Sequence, residues 1–268
     1  MIPYINFDRF FPKIGPFELG GHTIGPIGIH MFGILVATGI IVGARLTQKR
    51  GRELGLTEEM VSSMISWSLI CGFLFSHIFD VFAYQTFGLH PTLFEILNPF
   101  GGLSSYGGFA GAVGGLFAFC ISKKQKVMPY ADSLAFGLAA GWLFGRLGCF
   151  SAHDHPGHFT DFFLAVKYPD GVRHDLGLYE AIWSAGITAI FLLMFRKKQP
   201  LGIYVGLLTT AYAPVRFFLD FLRAEDTPNK DPRYFGLTPA QYGCIIVIFV
   251  GIGLLVWTKK HAARAQSA

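Results

Sequence analysis

Seven long apolar runs separated by polar connections dominate the hydrophobic pattern of this chain. Each run is long enough, or nearly so, to cross a bilayer, which takes about 20 helical residues. The pattern therefore predicts seven transmembrane helices. Their expected bounds are Ile24–Leu46, Met60–Tyr84, Gly102–Ile121, Ala131–Phe150, Gly177–Phe195, Leu201–Leu222 and Ala240–Trp257.

Lysine and arginine are concentrated in every second connection. The connection from residue 85 to residue 100 has none, whereas clusters follow the first, third, fifth and seventh runs. These clusters hold 13 of the 22 basic residues: Arg45, Lys49, Arg50, Arg52, Lys123, Lys124, Lys126, Arg196, Lys197, Lys198, Lys259, Lys260 and Arg264. Because cytoplasmic loops carry the basic excess, the N-terminus is predicted outside and the C-terminus in the cytoplasm.

This topology predicts one membrane domain over residues 1–268. It would comprise an extracytoplasmic arm (1–23), a seven-helix bundle (24–257) and a cytoplasmic tail (258–268). The arm and the outer connections at 151–176 and 223–238 are expected to cover a site at the outer face.

Composition supports an integral membrane protein. Hydrophobic residues make up 52% of the chain and charged residues only 15%, against about 25% charged in soluble domains. The expected fold class is therefore an all-α integral membrane protein. The net charge of +5 is explained by the cytoplasmic clusters, so nucleic acid is not a predicted partner. The four cysteines form no CxxC pair, so neither a disulfide framework nor a zinc cage is expected.

Arg146 stands at the end of the fourth apolar run, between Gly145 and Gly148. An arginine within a membrane segment is a functional candidate, although one at a helix end can also reach lipid headgroups for anchorage. A guanidinium binds phosphate through two parallel hydrogen bonds, and glycine permits close approach of a ligand. These features favour an anion site at Arg146.

A cluster of histidine and aspartate residues follows Arg146 directly, at His153, Asp154, His155 and His158. These residue types ligate metals, but the segment contains proline and glycine and no helical His-x3-His pair, so no metal is predicted. Proton transfer near neutral pH suits histidine and aspartate better. His153 and Asp154 are therefore candidate acid–base residues, and a plain polar turn at the membrane interface is the alternative.

A polar stripe lies on the sixth run. Tyr212, Arg216, Asp220 and Arg223 recur at i, i+4, i+8 and i+11, which places them on one face of a helix. A charged stripe in a membrane helix should face the bundle interior. A purely structural Arg216–Asp220 pair is the alternative to a binding site.

The third run carries glycines on one helical face, at Gly107, Gly111 and Gly115. This spacing indicates close helix packing in lipid. Tyr106 beside them can line a cavity or belong to an interfacial aromatic belt. Glu180, near the start of the fifth run, suits a helix N-terminus through the helix dipole.

The order of these motifs resembles the prolipoprotein diacylglyceryl transferase family, from His30 to Gly251. The matching positions are Gly145, Arg146, Gly148, Phe150, Asp154 and Gly157; Arg173, His174 and Leu178 to Ala181; Tyr212, Arg216, Asp220 and Arg223; and Leu237, Thr238 and Gln241. The resemblance implies a multi-pass enzyme of the bacterial inner membrane, with seven spans and an outside N-terminus. Such an enzyme transfers the diacylglyceryl group of phosphatidylglycerol to the lipobox cysteine thiol of a prolipoprotein signal peptide, without a cofactor.

The resemblance also implies roles for individual residues. Arg146 and Arg216 would bind the lipid phosphate, Asp154 and Asp220 would orient the two guanidinium groups, and Arg223 would assist at the rim. Further contacts with the lipid substrates are expected from Gly157, Tyr212 and His30.

The chain departs from the family pattern at several positions. Cys149 replaces an asparagine, Tyr106 a histidine and Phe32 a tyrosine, and Asp154 and Asp220 replace glutamates. These departures leave two ways to activate the thiol. Either His153, His155 or Tyr106 accepts its proton, or activation rests mainly on the field of the arginines, which lowers the pKa of a nearby thiol.

Three alternatives to the transferase remain. They are a transporter or receptor, a metal-dependent hydrolase using His153, His155 and His158, and a paralogue with an altered acceptor. The sequence shows no internal repeat of the kind found in transporters, which disfavours the first of them.

Overall fold

The computed structural model describes residues 1–15, 17–19, 22–24, 27–83, 90–93, 96, 102–227 and 233–267. Seven helices in these ranges are long and apolar enough to cross a membrane. They are α1 (Met31–Glu53), α2 (Glu58–Ala83), α3 (Ser105–Ser122), α4 (Val127–Ala152), α5 (Leu176–Met194), α6 (Ile203–Leu219) and α7 (Pro239–Ser267). The predicted seven-helix membrane fold is confirmed, and the orientation of its termini stays a prediction.

The helix bounds differ from the apolar runs at several ends. Helix α4 begins at Val127 because Pro129 falls in its first turn, where no intrahelical N–H is needed. It ends where His153 adopts a left-handed φ of 52°. Helix α7 continues to Ser267, through most of the predicted tail. The predicted second-run end at Tyr84, most of the 85–100 connection and residues 228–232 lie outside the described residues.

A small sheet joins the N-terminal arm to the segment between α4 and α5. The strands are β1 (Ile2–Pro3), β2 (Lys13–Ile14), β3 (Phe17–Leu19), β4 (His22–Ile24), β5 (Ile27–Gly28), β6 (Pro156–Phe159), β7 (Val166–Tyr168) and β8 (Gly171–Asp175). The sheet has the order β1-β7-β8-β6, with β1 parallel to β7 and the other pairs antiparallel. Hairpin-like pairs β2–β5 and β3–β4 complete the described arm. Such short strands leave no detectable alternation in the sequence.

Residues 46–134 form one compact unit, in which α2 and α3 pack through the predicted glycine face. A Cβ added to Gly111 would lie 2.4 Å from the carbonyl oxygen of Cys71, and one added to Gly115 would lie 2.6 Å from that of Trp67. Glycine therefore allows the two backbones to touch, as expected for helix packing in lipid.

Residues 1–45 and 135–268 form the second compact unit, which contains Arg146 and the polar stripe of α6. Helices α1 and α4 approach closely, because a Cβ on Gly39 would lie 2.8 Å from the Gly141 carbonyl oxygen. Helices α6 and α7 are equally close, because a Cβ on Gly251 would lie 2.4 Å from the hydroxyl oxygen of Thr209. This tight packing holds α1 against α4 and α6 against α7.

Candidate active site

Two arginines and two carboxylates form one ionic cluster at the ends of α4, α5 and α6. Arg146 Nε lies 3.0 Å from Glu180 Oε2, and Arg216 Nε lies 3.5 Å from Oε1 of the same carboxylate. Arg216 Nη1 donates a hydrogen bond of 2.6 Å to Asp220 Oδ1. The arginine side chains are 11% and 13% exposed, whereas Glu180 and Asp220 are buried. A shared carboxylate thus brings the two predicted arginines together.

Glu180 is positioned by the first turn of α5. Asp175 caps this helix, because its Oδ1 accepts a hydrogen bond of 2.9 Å from the backbone nitrogen of Leu178. The Tyr212 hydroxyl donates a hydrogen bond to Glu180 Oε2. From the sequence, Glu180 had only a helix-dipole role, although the Leu-Tyr-Glu-Ala match marked its position. The structure makes it the centre of the cluster.

Arg146 is held by contacts within α4 as well as by Glu180. Its guanidinium carbon lies 4.8 Å from the centre of the Trp142 ring, a cation–π distance. Its Nη1 lies 3.9 Å from Cys149 Sγ. A Cβ on Gly148 would lie 3.0 Å from the Phe32 ring. The indole and the carboxylate together fix the orientation of the guanidinium.

Asp220 is fixed by the start of α7. It accepts hydrogen bonds from Arg216 and from the Thr238 hydroxyl. The Thr238 backbone nitrogen donates to Gln241 Oε1 at 2.9 Å, and Gln241 Nε2 donates to the Phe217 carbonyl at 3.1 Å. The Leu-Thr-x-x-Gln element of the sequence therefore ties α7 to the end of α6 and holds Asp220 against Arg216.

The formal charges of the two arginines and two carboxylates cancel. Arg223 adds a positive charge at the rim, where its backbone nitrogen donates to the Asp220 carbonyl at 3.3 Å. The hydrogen bond of Arg216 to Asp220 uses Nη1, and its contact with Glu180 uses Nε. Guanidinium groups bind the oxygens of a phosphodiester through charge-assisted hydrogen bonds.

His153, a predicted acid–base residue, is enclosed by the arm and the sheet. Its Nδ1 lies 3.0 Å from Asp175 Oδ2, and its ring stacks on Tyr4 with the centroids 4.2 Å apart. Tyr168 donates to the same Asp175 oxygen at 2.9 Å. Burial, with the charge of Asp175, raises the pKa of Tyr168, so this phenol stays a donor. The geometry favours a structural role for His153 over the predicted role in proton transfer.

Asp154 is not the ion-pair partner of Arg146 in the described part of the chain. It follows the end of α4, beyond the left-handed turn at His153, and its carboxylate accepts a hydrogen bond from His155 Nδ1. Glu180, from the next helix, takes the position beside Arg146 that the sequence assigned to Asp154. In this structure Glu180 therefore forms the ion pair with Arg146, and a role of Asp154 in orienting that guanidinium stays a prediction.

Gly157 lies in β6, where it allows a close backbone approach. A Cβ there would lie 2.6 Å from the Leu222 carbonyl oxygen and 2.7 Å from His174 Cβ. Gly157 also forms an antiparallel bridge with Arg223. The glycine therefore joins the sheet to the end of α6, and its direct contact with substrate stays a prediction.

Two further predicted site residues lie at helix starts. Tyr106 is in the first turn of α3, within the unit of residues 46–134, and its ring centre lies 6.4 Å from that of Phe79. His30 is exposed just before α1, and its carbonyl accepts a hydrogen bond of 3.1 Å from the Ile34 nitrogen. Their roles in catalysis and substrate binding stay predictions.

An apolar groove of about 440 Å³ is lined by residues of β8, the first turns of α5 and the end of α6. Its lining includes Phe162, Leu164, Leu219 and Leu222, with His174 and Tyr179 as polar members. His174 Nδ1 lies 2.9 Å from the Tyr179 hydroxyl oxygen. Burial, then the neighbouring His158, lowers the pKa of His174, which favours the neutral form of the ring. Tyr179 and Leu219 of this lining directly precede Glu180 and Asp220 in the sequence.

Within the described residues, one set of side chains has the types and spacing of metal ligands. Atoms of Cys149, Asp154 and His155 lie within 4.8 Å of one another. His153 and His158, which the sequence grouped with them, are not part of this set.

Known proteins match most of this chain in sequence. A family model described as prolipoprotein diacylglyceryl transferase matches residues 21–257. Three relatives carry the name phosphatidylglycerol–prolipoprotein diacylglyceryl transferase. The Campylobacter lari protein is 29% identical over 273 residues, 96% of each chain. The Pseudomonas aeruginosa protein is 28% identical over 269 residues, 96% of this chain and 99% of its own. The Staphylococcus saprophyticus protein is 27% identical over 248 residues, 87% of this chain and 86% of its own.

Proposed function

Because the chain belongs to the prolipoprotein diacylglyceryl transferase family, we propose that it lipidates prolipoproteins. It transfers the diacylglyceryl group of phosphatidylglycerol to the lipobox cysteine thiol of a signal peptide, the first step of bacterial lipoprotein maturation. The displacement needs no cofactor and no nucleic acid. The seven apolar helices support a multi-pass protein, whose proposed location is the bacterial inner membrane.

The arrangement of Arg146, Glu180 and Arg216 is the observation that carries this proposal. Charged side chains inside a membrane segment are costly and are retained for binding or transfer tasks. Here one buried carboxylate lies 3.0 Å and 3.5 Å from two guanidinium groups. It offsets their mutual repulsion and orients them before any substrate binds. A phosphodiester can then engage N–H groups of both arginines.

The reaction that follows is a displacement at carbon. The acceptor thiolate attacks the carbon of the diacylglyceryl group that bears the phosphate. A C–S bond forms, and the bond from that carbon to the phosphate oxygen breaks. Its electron pair leaves with glycerol phosphate. Arg146 and Arg216, with Arg223 at the rim, stabilise the negative charge that grows on the departing phosphate. Such preorganised stabilisation is usually the largest single contribution to catalysis.

The thiol must lose its proton before the attack. The arginines lower the pKa of a thiol bound beside them, and its proton is proposed to pass to His155 or to water, with Tyr106 as the alternative acceptor. His153 is disfavoured as the proton acceptor because Asp175 and Tyr4 enclose it. Asp154, which is 43% exposed, is proposed to contact the acceptor peptide.

The proposal is tested with purified protein, phosphatidylglycerol vesicles and a lipobox peptide. Mass spectrometry should detect a diacylglyceryl adduct on the peptide cysteine. Arg146→Ala should lower the rate by about 10²-fold or more, since it removes a preorganised charge from the transition state. Arg196→Ala, an exposed arginine beyond the opposite end of α5, is the matched control and should retain transfer.

Two results would overturn the proposal. A folded wild-type protein that forms no adduct would exclude the transferase reaction with this donor and acceptor. Full activity in Arg146→Ala would exclude the phosphate-binding role of that side chain. An adduct on a peptide without a lipobox would indicate the paralogue with an altered acceptor.

A further inference from the structure

We propose that Cys149, Asp154 and His155 bind a zinc-like divalent ion beside Arg146, and that this ion inhibits the proposed transfer. The three side chains offer a sulfur, a carboxylate oxygen and a ring nitrogen within 4.8 Å of one another. The sequence did not group them, because Cys149 belongs to the last turns of α4 while the other two lie after its end.

The ligand types and spacing fit zinc. Zinc accepts cysteine sulfur at about 2.3 Å, histidine nitrogen at about 2.0 Å and carboxylate oxygen at about 2.0–2.2 Å. A tetrahedral ion therefore needs ligand atoms roughly 3–4 Å apart, which rotation of these side chains can supply from the present spacing. Asp154 already accepts a hydrogen bond from His155, so a bound ion would replace the proton between them.

The local charges permit an ion at this position. Arg146 Nη1 lies 3.9 Å from Cys149 Sγ, and a metal that binds the sulfur displaces the thiol proton as it does so. A divalent cation, one thiolate and one carboxylate sum to zero, so the occupied site would not repel the adjacent guanidinium. Asp154 is 43% exposed and His155 21% exposed, which gives an ion a path from solvent.

The expected consequence follows from the position beside Arg146. Three protein ligands leave a fourth position on the ion open. The bound ion would hold Cys149 and the turn after α4 next to Nη1 of Arg146. Phosphate binding by Arg146 is then obstructed. This consequence rests on the proposed function, whereas metal binding itself does not.

Metal binding is measured by adding Co²⁺ to the full-length protein and following the visible and thiolate-to-cobalt absorption bands, with Zn²⁺ as the competitor. Wild type should show thiolate ligation by one ion, and Zn²⁺ should abolish the bands. Cys149→Asn should weaken binding more than about 100-fold, and His155→Ala about 10-fold to 100-fold. Cys71→Ser and His158→Ala, a cysteine and a histidine outside the set, should bind as wild type.

Inhibition is measured by adding Zn²⁺ to the peptide-transfer assay. The transfer rate of each variant is compared with its own rate in the absence of metal. Wild type and Cys71→Ser should lose transfer, and Cys149→Asn should resist. Cobalt bands absent from wild type, or unchanged in Cys149→Asn, would refute the site whether or not the protein transfers lipid. Ligation through Cys149 without loss of transfer would refute the inhibitory role alone.

Discussion

At the scale of single residues, the site depends on the carboxylate that two guanidinium groups share. Glu180 is 1% exposed and has Arg146, Arg216 and Tyr212 as partners. The residue types Arg and Asp made Arg146, Arg216 and Asp220 recognisable in the sequence. Glu180 was not recognised, because a carboxylate near a helix start has an ordinary electrostatic explanation.

Replacing Glu180 tests this shared carboxylate. Glu180→Gln keeps the shape but not the charge, so the two guanidinium groups repel and lose their orientation; we expect transfer to fall about 10²-fold. Glu180→Ala should in addition lower the free energy of unfolding by about 3–5 kcal/mol, because buried charges lose their partner. The rates come from the peptide assay and the stability from unfolding in detergent.

Glu59→Gln is the control for these variants, because Glu59 is an exposed carboxylate on α2. It should change neither quantity. Wild-type transfer and stability in Glu180→Ala would contradict the bridging role of this carboxylate.

At the scale of elements, short capping segments connect the sheet with the helices. Asp175 is the last residue of β8 and caps α5. Its carboxylate also accepts a hydrogen bond from Tyr168 and lies 3.0 Å from Nδ1 of His153. One side chain thus couples the sheet to the helix that carries Glu180. The sequence predicted the helix and its approximate start, but nothing in its local pattern identified the partners of Asp175.

The contact between α2 and α3 predicts how glycine substitutions change the stability of the protein. Gly111→Ala would place a Cβ 2.4 Å from the Cys71 carbonyl oxygen and 2.7 Å from Phe75 Cβ. The helices must separate, so we expect a loss of about 1–3 kcal/mol. Gly114→Ala is the matched control, because its Cβ would meet nothing within 4 Å among the described residues. It should be neutral or stabilise the helix by up to about 1 kcal/mol.

Unfolding midpoints of the two purified variants in the same detergent provide the comparison. Equal midpoints would show that the glycine face does not hold α2 against α3.

At the scale of the whole molecule, the sheet and the spans together predict the orientation in the membrane. Strand β1 pairs with β7, so the N-terminal arm and the segment between α4 and α5 lie on the same side. Seven spans predict that the two termini lie on opposite sides of the membrane. The distribution of lysine and arginine then predicts that the arm, this segment and the ionic cluster face outward.

Single cysteines test this orientation. Asp161→Cys should react with a membrane-impermeant maleimide in intact cells, whereas Lys197→Cys should react only after the cells are permeabilised. Both positions are exposed, and a protein without added cysteines supplies the background. The reverse labelling pattern would contradict the predicted topology.

The sequence by itself determined the spans, because each run must be apolar over its whole length to cross a membrane. It also identified Arg146, Arg216 and Asp220 as candidate site residues, because charged residues are rare in transmembrane runs. Both signals are local, so they can be read from the sequence without knowing which residues are in contact in the fold.

Only the tertiary structure decided which groups are partners. The pairing of Arg146 with Glu180 rather than Asp154, the enclosure of His153 by Tyr4, and the approach of Cys149 to His155 all join different elements. Ion pairs and ring contacts depend on distances of a few ångströms between side chains. Helix ends, short strands and glycine contacts set those distances, and residue order alone does not specify them.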